Sequence, residues 1–267
     1  MPDKANDGQP GTQAVQRALR MLHCFRSDRP QLTLTELADE ANLTMPTAHR
    51  IVKALQDWGY IAQDENGRMF SLGPTVMKLA QVFLQRDNQH ELVLLAQPFL
   101  ERLRDATGET AALHCPVDTQ RVCVTEVPSR QPVRMANGVG NLYPLHGGAA
   151  GKVILAWSSS TTLDRVLAVL PDDTRSGGHH ERLIRELPRI RKKGYALSLG
   201  ETVPSASAIA VPIFSASRLI AGSLSIAGPI DRWTRELMLD HAPLLLATGI
   251  EINSALGFAG SRGVAPA

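Results

Sequence analysis

The sequence predicts a two-domain α/β protein: a mostly helical N-terminal unit closed by a β-hairpin wing, a linker helix, and a larger mixed domain built around one sheet. Three observations lead there. Residues 12–58 place apolar side chains at helical spacing. Residues 60–72 alternate apolar and polar around an Asn-Gly pair, and residues 110–256 alternate strand-like with helix-like segments. The length of 267 residues, with 43% hydrophobic and 20% charged content, suffices for two compact cores and is too apolar for a disordered chain.

Residues 1–11 read as a disordered arm. Thr12 then caps a helix whose Val15, Ala18, Leu19, Leu22 and Phe25 form one stripe, ended by Asp28 to Gln31 with Pro30. The segment TLTELADEANLTMPTAHRIVKALQDWGYI predicts two helices with a tight break. Thr35 caps the first, Leu37, Ala38 and Ala41 face inward, and Asn42 breaks it. Thr44 caps the second, with Pro46 in its first turn, where a missing N–H costs nothing. Ala48, Ile51, Val52 and Leu55 share the buried face of that helix. Met45, Thr47, His49, Arg50 and Lys53 point elsewhere. A short helix, a break and a helix with a polar leading edge is the helix-turn-helix layout. Gly59 stops it, and YIAQDENGRMFSL folds back at Asn66-Gly67 as a wing, which bounds a DNA-binding domain at 12–73.

After Gly73-Pro74, residues 74–88 form a linker helix with Val76, Leu79, Ala80 and Phe83 on one stripe. The second domain spans 89–258. It opens on the helix ELVLLAQPFLERLRDATGE and continues with strands at Thr110–His114, Arg121–Val127, Tyr195–Leu199, Ala208–Ile213 and Leu219–Ile226. Helices fall at Gly151–Trp157, Leu163–Leu170, Leu183–Lys193 and Thr234–Leu256. Pro188 predicts a kink or a late start in the third of these. Residues 259–267 read as a disordered tail.

Composition excludes more than it assigns. No apolar run approaches the roughly 18 residues of a membrane span, and the polar start MPDKANDGQPGTQ lacks a signal-peptide core, so a soluble cytoplasmic protein is expected. Cys24, Cys115 and Cys123 form no CxxC pair and predict reduced thiols. His114 with the two later cysteines, or His179 with His180, offers no four-ligand metal spacing, and no cofactor is expected. LHGG resembles an esterase oxyanion motif, but no GxSxG elbow accompanies it; Ser223 and Ser225 lie in SLSIAG. An enzyme is therefore not expected, and GVGNLY is only a fragment of a nucleotide-binding pattern. The net charge is +2, and residues 1–73 hold eight Lys or Arg against nine Asp or Glu. Bulk charge thus argues against a nonspecific DNA binder, and placement must carry the case.

Placement points to the second helix of the pair. Thr44, Met45, Thr47 and Arg50 sit where a recognition helix meets base edges, with His49 and Lys53 beside them. Arg50 is the leading candidate for a base or phosphate contact. Arg68, just past the hairpin turn, reaches the backbone or minor groove from the wing.

TLTELA, LTMPTAHRIVKALQDWGYI and the hairpin to SLGP resemble the IclR family of bacterial transcription regulators. The resemblance continues through PLHGGAAGKVILAW, LPRIRKKGYAL, AIAVPI and SLSIAGPI, over about residues 12–256. It implies a homodimer or homotetramer on a roughly palindromic double-stranded operator, and a GAF-like C-terminal domain holding a small organic effector, often a carboxylate. The residues agree with that reading. Gly147, Gly148, Ala149 and Ala150 precede or open a helix, where small residues expose amides to an anion. Where similar family members place an acidic residue, a cysteine and a serine, this chain has Ser198, Ala208 and Ala227. The expected cavity is less polar, and the expected effector larger or more aromatic than a two- or three-carbon keto acid. Glu201 matches a family acidic position, near the pocket or capping a turn. Met135, Leu145, Leu224 and Ser225 read first as core and second as pocket wall. The expected output is repression; an orphan regulator whose C-terminal domain only oligomerises is the alternative.

Overall fold

The structure, a computed structural model, describes residues 12–26, 28–85, 89–170 and 178–258. The arm and tail expected at 1–11 and 259–267 lie outside the described residues. The chain divides into two compact units, Met1–Arg86 and Asp87–Ala267.

The first unit comprises α1 (Gln13–Leu22), β1 (Gln31–Leu32), α2 (Leu34–Glu40), α3 (Met45–Asp57), β2 (Ile61–Gln63), β3 (Phe70–Leu72) and α4 (Pro74–Gln85). Met21, Leu32, Leu37, Ala38, Ala48, Val52, Ile61 and Phe70 are buried together as its core. Thr12 stands at the N-cap of α1 without a side-chain cap bond. The cap of α2 corrects the sequence reading: it is Thr33, not Thr35. Thr33 Oγ1 accepts the Glu36 N–H at 3.3 Å, and the Glu36 carboxylate accepts the Thr33 N–H at 2.8 Å. Such a box needs threonine and glutamate three residues apart, and Thr35 already lies within the first turn. Asn42 makes the break before α3 in the left-handed region, at φ 55°.

The wing forms, but not on a two-residue turn. Ile61 pairs with Leu72 and Gln63 with Phe70, leaving residues 64–69 as the connection. A type I′ turn needs positive φ at both central residues, and here Gly67 has φ +68° while Asn66 does not. The Asp64 carboxylate instead accepts the amides of Arg68 at 2.8 Å and Met69 at 2.9 Å. β1, not foreseen from sequence, adds a third strand in the order β1-β3-β2. On α4, Val76 is half-buried, whereas Met77, Leu79, Ala80, Val82 and Phe83 are exposed within the chain.

The second unit runs α5 (Gln89–Thr107), β4 (Thr110–Val117), β5 (Gln120–Val127), β6 (Leu142–Pro144), α6 (Gly148–Trp157), α7 (Ser160–Ala168), α8 (His179–Lys193), β7 (Ala196–Leu199), β8 (Ala206–Phe214), β9 (Ile220–Pro229) and α9 (Arg235–Ala255). Its six strands form one sheet in the order β6-β5-β4-β9-β8-β7, with every pairing antiparallel. Helix α6 packs on β7, β8 and β9 and carries α8 above it, while α5 packs on β4 and β5 and α9 on β8. Leu145, Val153, Ile154, Leu155, Leu187, Ile190 and Ala210 are buried between α6, α8 and the sheet. Each large aliphatic there contributes about 1.5–3 kcal/mol by leaving water. Pro188 neither delays nor ends α8, which starts at His179 and stops at Gly194, φ +79°. No helix among the described residues is long and apolar enough to cross a membrane.

Candidate functional site

A cavity of about 80 Å³ lies where the start of α6 meets the sheet. Register explains its floor: Ser198 pairs with Ala208, Ala208 with Ala227 and Ala227 with Thr110, a row across four strands. Arg121 pairs with Tyr143 at the β5–β6 edge, further along the sheet, and both line the cavity. Met135, Ala136 and Asn137 close the cavity from the loop after β5, and Thr202 and Val203 from the loop after β7. The first loop is held down at several points. Thr110 Oγ1 donates to the Met135 carbonyl at 2.5 Å, the Glu126 carboxylate accepts the Asn137 and Gly138 amides at 2.8 and 3.2 Å, and the Tyr143 hydroxyl donates to the Asn137 carbonyl.

The electrostatics of this cavity are lopsided. Arg121 is 5% exposed, and its Nε and Nη1 are buried without a hydrogen-bond partner. Its guanidinium lies 4.7 Å from the Tyr143 ring centroid, a cation–π contact that offsets part of the desolvation. Burial lowers its pKa to about 10, so it stays cationic at neutral pH. His114, also buried, has both ring nitrogens without a partner. Burial first, then the Arg121 charge, push its pKa well below the ordinary histidine value. The site is therefore a buried cation beside a neutral imidazole. A buried unpaired charge costs several kcal/mol unless an opposite charge joins it.

Gly148 fits its position for a stated reason. It opens α6 at φ +73°, and a Cβ there would come within 2.9 Å of Thr202 Oγ1 and 3.1 Å of Arg121 Nη2. Its amide is not open to a ligand: it donates to Glu201 Oε2 at 3.2 Å, and Glu201 Oε1 accepts from the buried Lys152 at 2.6 Å. Among the described residues no group of His, Cys, Asp and Glu is placed to hold a metal ion. The three cysteines are buried and form no disulfide, and burial pushes the Cys123 thiol up to about 12. That thiol is inert.

In the first unit, Thr44, Met45, His49, Arg50 and Lys53 are exposed on α3 and Arg68 is exposed in the wing; Thr47 is half-buried, its hydroxyl 3.0 Å from that of Thr44. Thr47 and Arg50 also border a groove against Ala14, Arg17 and Ala18 of α1.

Known proteins match both units. Residues 14–65 match the IclR helix-turn-helix domain, and residues 86–254 match the bacterial transcriptional regulator IclR C-terminal domain. The chain belongs to the IclR family. It is 30% identical to the HTH-type transcriptional regulator BhcR of Paracoccus denitrificans, over 82% of this chain and 78% of that one. It is 27% identical to the transcriptional repressor IclR of Escherichia coli, over 92% and 90%. Among solved structures, an IclR homolog from Microbacterium hydrocarbonoxydans complexed with 4-hydroxybenzoate superposes with TM-score 0.71, at 24% identity over 91% of this chain and 99% of that one.

In this IclR-family chain the structure brings some of the residues singled out in the sequence to one cavity and leaves others outside it. Met135, Gly148, Ala149, Ala150, Ser198, Ala208, Ser225 and Ala227 line it. Leu145 and Leu224 are fully buried core instead, Gly147 is the N-cap of α6, and Glu201 lines an outer groove. The polar residues that give the cavity its chemistry, His114, Arg121, Asn137, Tyr143 and Thr202, were not foreseen. Two of them carried a sequence signal. His114 in TAALHC and Arg121 in RVCV are polar side chains inside strongly apolar strands.

Proposed function

We propose that this IclR-family regulator is a repressor, working as a homodimer or homotetramer, whose operator binding is controlled by a small organic carboxylate held on Arg121. It is a binding protein and not an enzyme. The observation that carries the ligand is the unpaired Arg121 guanidinium, 5% exposed at the edge of the cavity. A carboxylate matches its fork with two charge-assisted hydrogen bonds, and neutral His114 can offer one ring nitrogen as a further donor. Arg121, His114 and Asn137 add polar groups beside the small Ser198, Ala208 and Ala227 side chains. Size bears on the effector too. An engineered cavity of about 150 Å³ holds benzene, about twice the roughly 80 Å³ of this one. A two- to four-carbon acid fits as the cavity stands, and an aromatic acid enters when the 134–138 loop yields. The benzoate bound by the Microbacterium homolog keeps aromatic acids in the test. Thr44, Met45, Thr47, His49, Arg50, Lys53 and Arg68 are the proposed DNA contacts.

A thermal-shift panel tests the ligand class, because a ligand that binds only the folded chain stabilises it by about 2.7 kcal/mol at a hundred times its Kd. Short acids, benzoates and their neutral amides are compared on the wild type and Arg121→Met. The expected result is a response to acids alone, weakened tenfold or more in the variant, since each bond to the guanidinium is worth about 1.5–3 kcal/mol. Unliganded Arg121→Met should match or exceed wild-type stability, having lost an unpaired buried charge. Amides acting as well as acids, or an unchanged response in the variant, would overturn the assignment. A blank across the panel favours the orphan regulator.

A further inference from the structure

A second concave surface lies outside the cavity, between α8, β7 and the start of α9. It is a groove of about 480 Å³, within the roughly 300–1,000 Å³ typical of small-molecule clefts. Arg182, Arg185, Arg189 and Lys193 line it from one face of α8, spaced three, seven and eleven residues from the first, and Arg235 lines it from α9. Five cations along one groove repel one another unless something joins them. Among the described residues, Arg185 makes only a loose ion pair, with Glu181 at 3.9 Å, both exposed, and the other four cations make none.

The groove contains two carboxylates, and neither is paired with its cations. Glu186 and Glu201 both turn onto Lys152, at 2.8 and 2.6 Å, and that ammonium gives a further hydrogen bond to the Leu197 carbonyl at 2.9 Å. Lys152 is 3% exposed, so the acidic side chains are held by a buried ammonium beneath the groove. The guanidiniums above are left to a ligand. Four planar forks exceed what one carboxylate can use and suit a ligand with several phosphates, each able to accept two parallel N–H bonds. Tyr195 adds an aromatic wall at the Lys193 end.

We propose that this groove is a second ligand site, for a small molecule bearing two or more phosphate groups. Its concavity favours a small molecule over the convex cylinder of a DNA duplex. Glu201 ties the two sites together structurally, because it lines the groove while its other oxygen accepts the Gly148 amide at the cavity wall.

The test is calorimetric titration of the full chain with sodium tripolyphosphate and with inorganic phosphate at constant ionic strength. Arg182→Gln/Arg189→Gln is compared with Arg130→Gln, an exposed arginine elsewhere. All three changes are at the surface, and the melting temperature of each variant checks folding. The expected result is one saturable tripolyphosphate site per chain, weakened about tenfold or more in the double variant and unchanged in Arg130→Gln. Inorganic phosphate should bind far more weakly. Absence of saturable binding, or equal losses in both variants, overturns the site. A double variant that loses operator affinity while keeping tripolyphosphate affinity overturns it in favour of a DNA contact. The carboxylate response of the inner cavity should survive in the double variant, so the two proposals fail separately.

Discussion

At His114 the surroundings decide the charge. It is fully enclosed, and Arg121 adds like charge. An unfolded histidine titrates near 6.5, so above that pH both states are neutral and the site leaves stability alone. Below it the unfolded chain takes up a proton that the folded chain refuses, and stability falls with pH. Half-buried His146 is shifted the same way by burial, so removing His114 flattens the profile without erasing it. Unfolding free energies from urea titration between pH 7.5 and 5.5 should fall less steeply in His114→Gln than in the wild type, by up to about 1.4 kcal/mol per pH unit. Parallel profiles would mean that His114 takes up its proton equally in the folded and unfolded chain, and the depressed pKa would be wrong. Both His114 and Arg121 were missed in the sequence because a polar residue in an apolar strand carries no label for the neighbour it will meet. Arg121 meets Tyr143 through β6, three residues long and too short to show an alternation.

Elements were legible where one local rule governed them, and misplaced where two rules competed. Helix α3 is read from its apolar face and from Pro46. For α2 two threonines competed for the cap, and the glutamate at the third helical position decided for Thr33. In the wing, Asn66-Gly67 suggested a tight turn, but the Asp64 carboxylate captured two amides first. Pro188 did not stop α8, whose face against α6 supplies Leu183, Leu187 and Ile190 to the core. The Thr33 assignment has a direct consequence. Thr33→Ala should destabilise the first unit by about 1 kcal/mol, the usual cost of losing a helix N-cap, and Thr35→Ala by clearly less. Urea titration of both variants measures it, and equal losses would return the cap to doubt.

The whole molecule has work to do only if its two units communicate. A carboxylate in the second unit can alter operator binding by the first only through different affinities for two arrangements of the chain, and that coupling is reciprocal. Helix α4, the last described element of the first unit, keeps Met77, Leu79, Val82 and Phe83 exposed and is the covalent route between them. A coupling of about 1–3 kcal/mol would change operator affinity five- to 150-fold. Fluorescence anisotropy with a duplex selected from a random library should show that change on adding the acid found in the thermal screen. Two variants divide the pathway. Arg50→Ala should weaken the duplex by about 1–3 kcal/mol if it contacts a base while keeping the thermal response to the acid. Arg121→Met should keep the duplex and lose its sensitivity to the acid. If saturating acid changes neither affinity nor footprint in the wild type, the cavity binds without signalling, and the second unit serves the regulator through assembly alone.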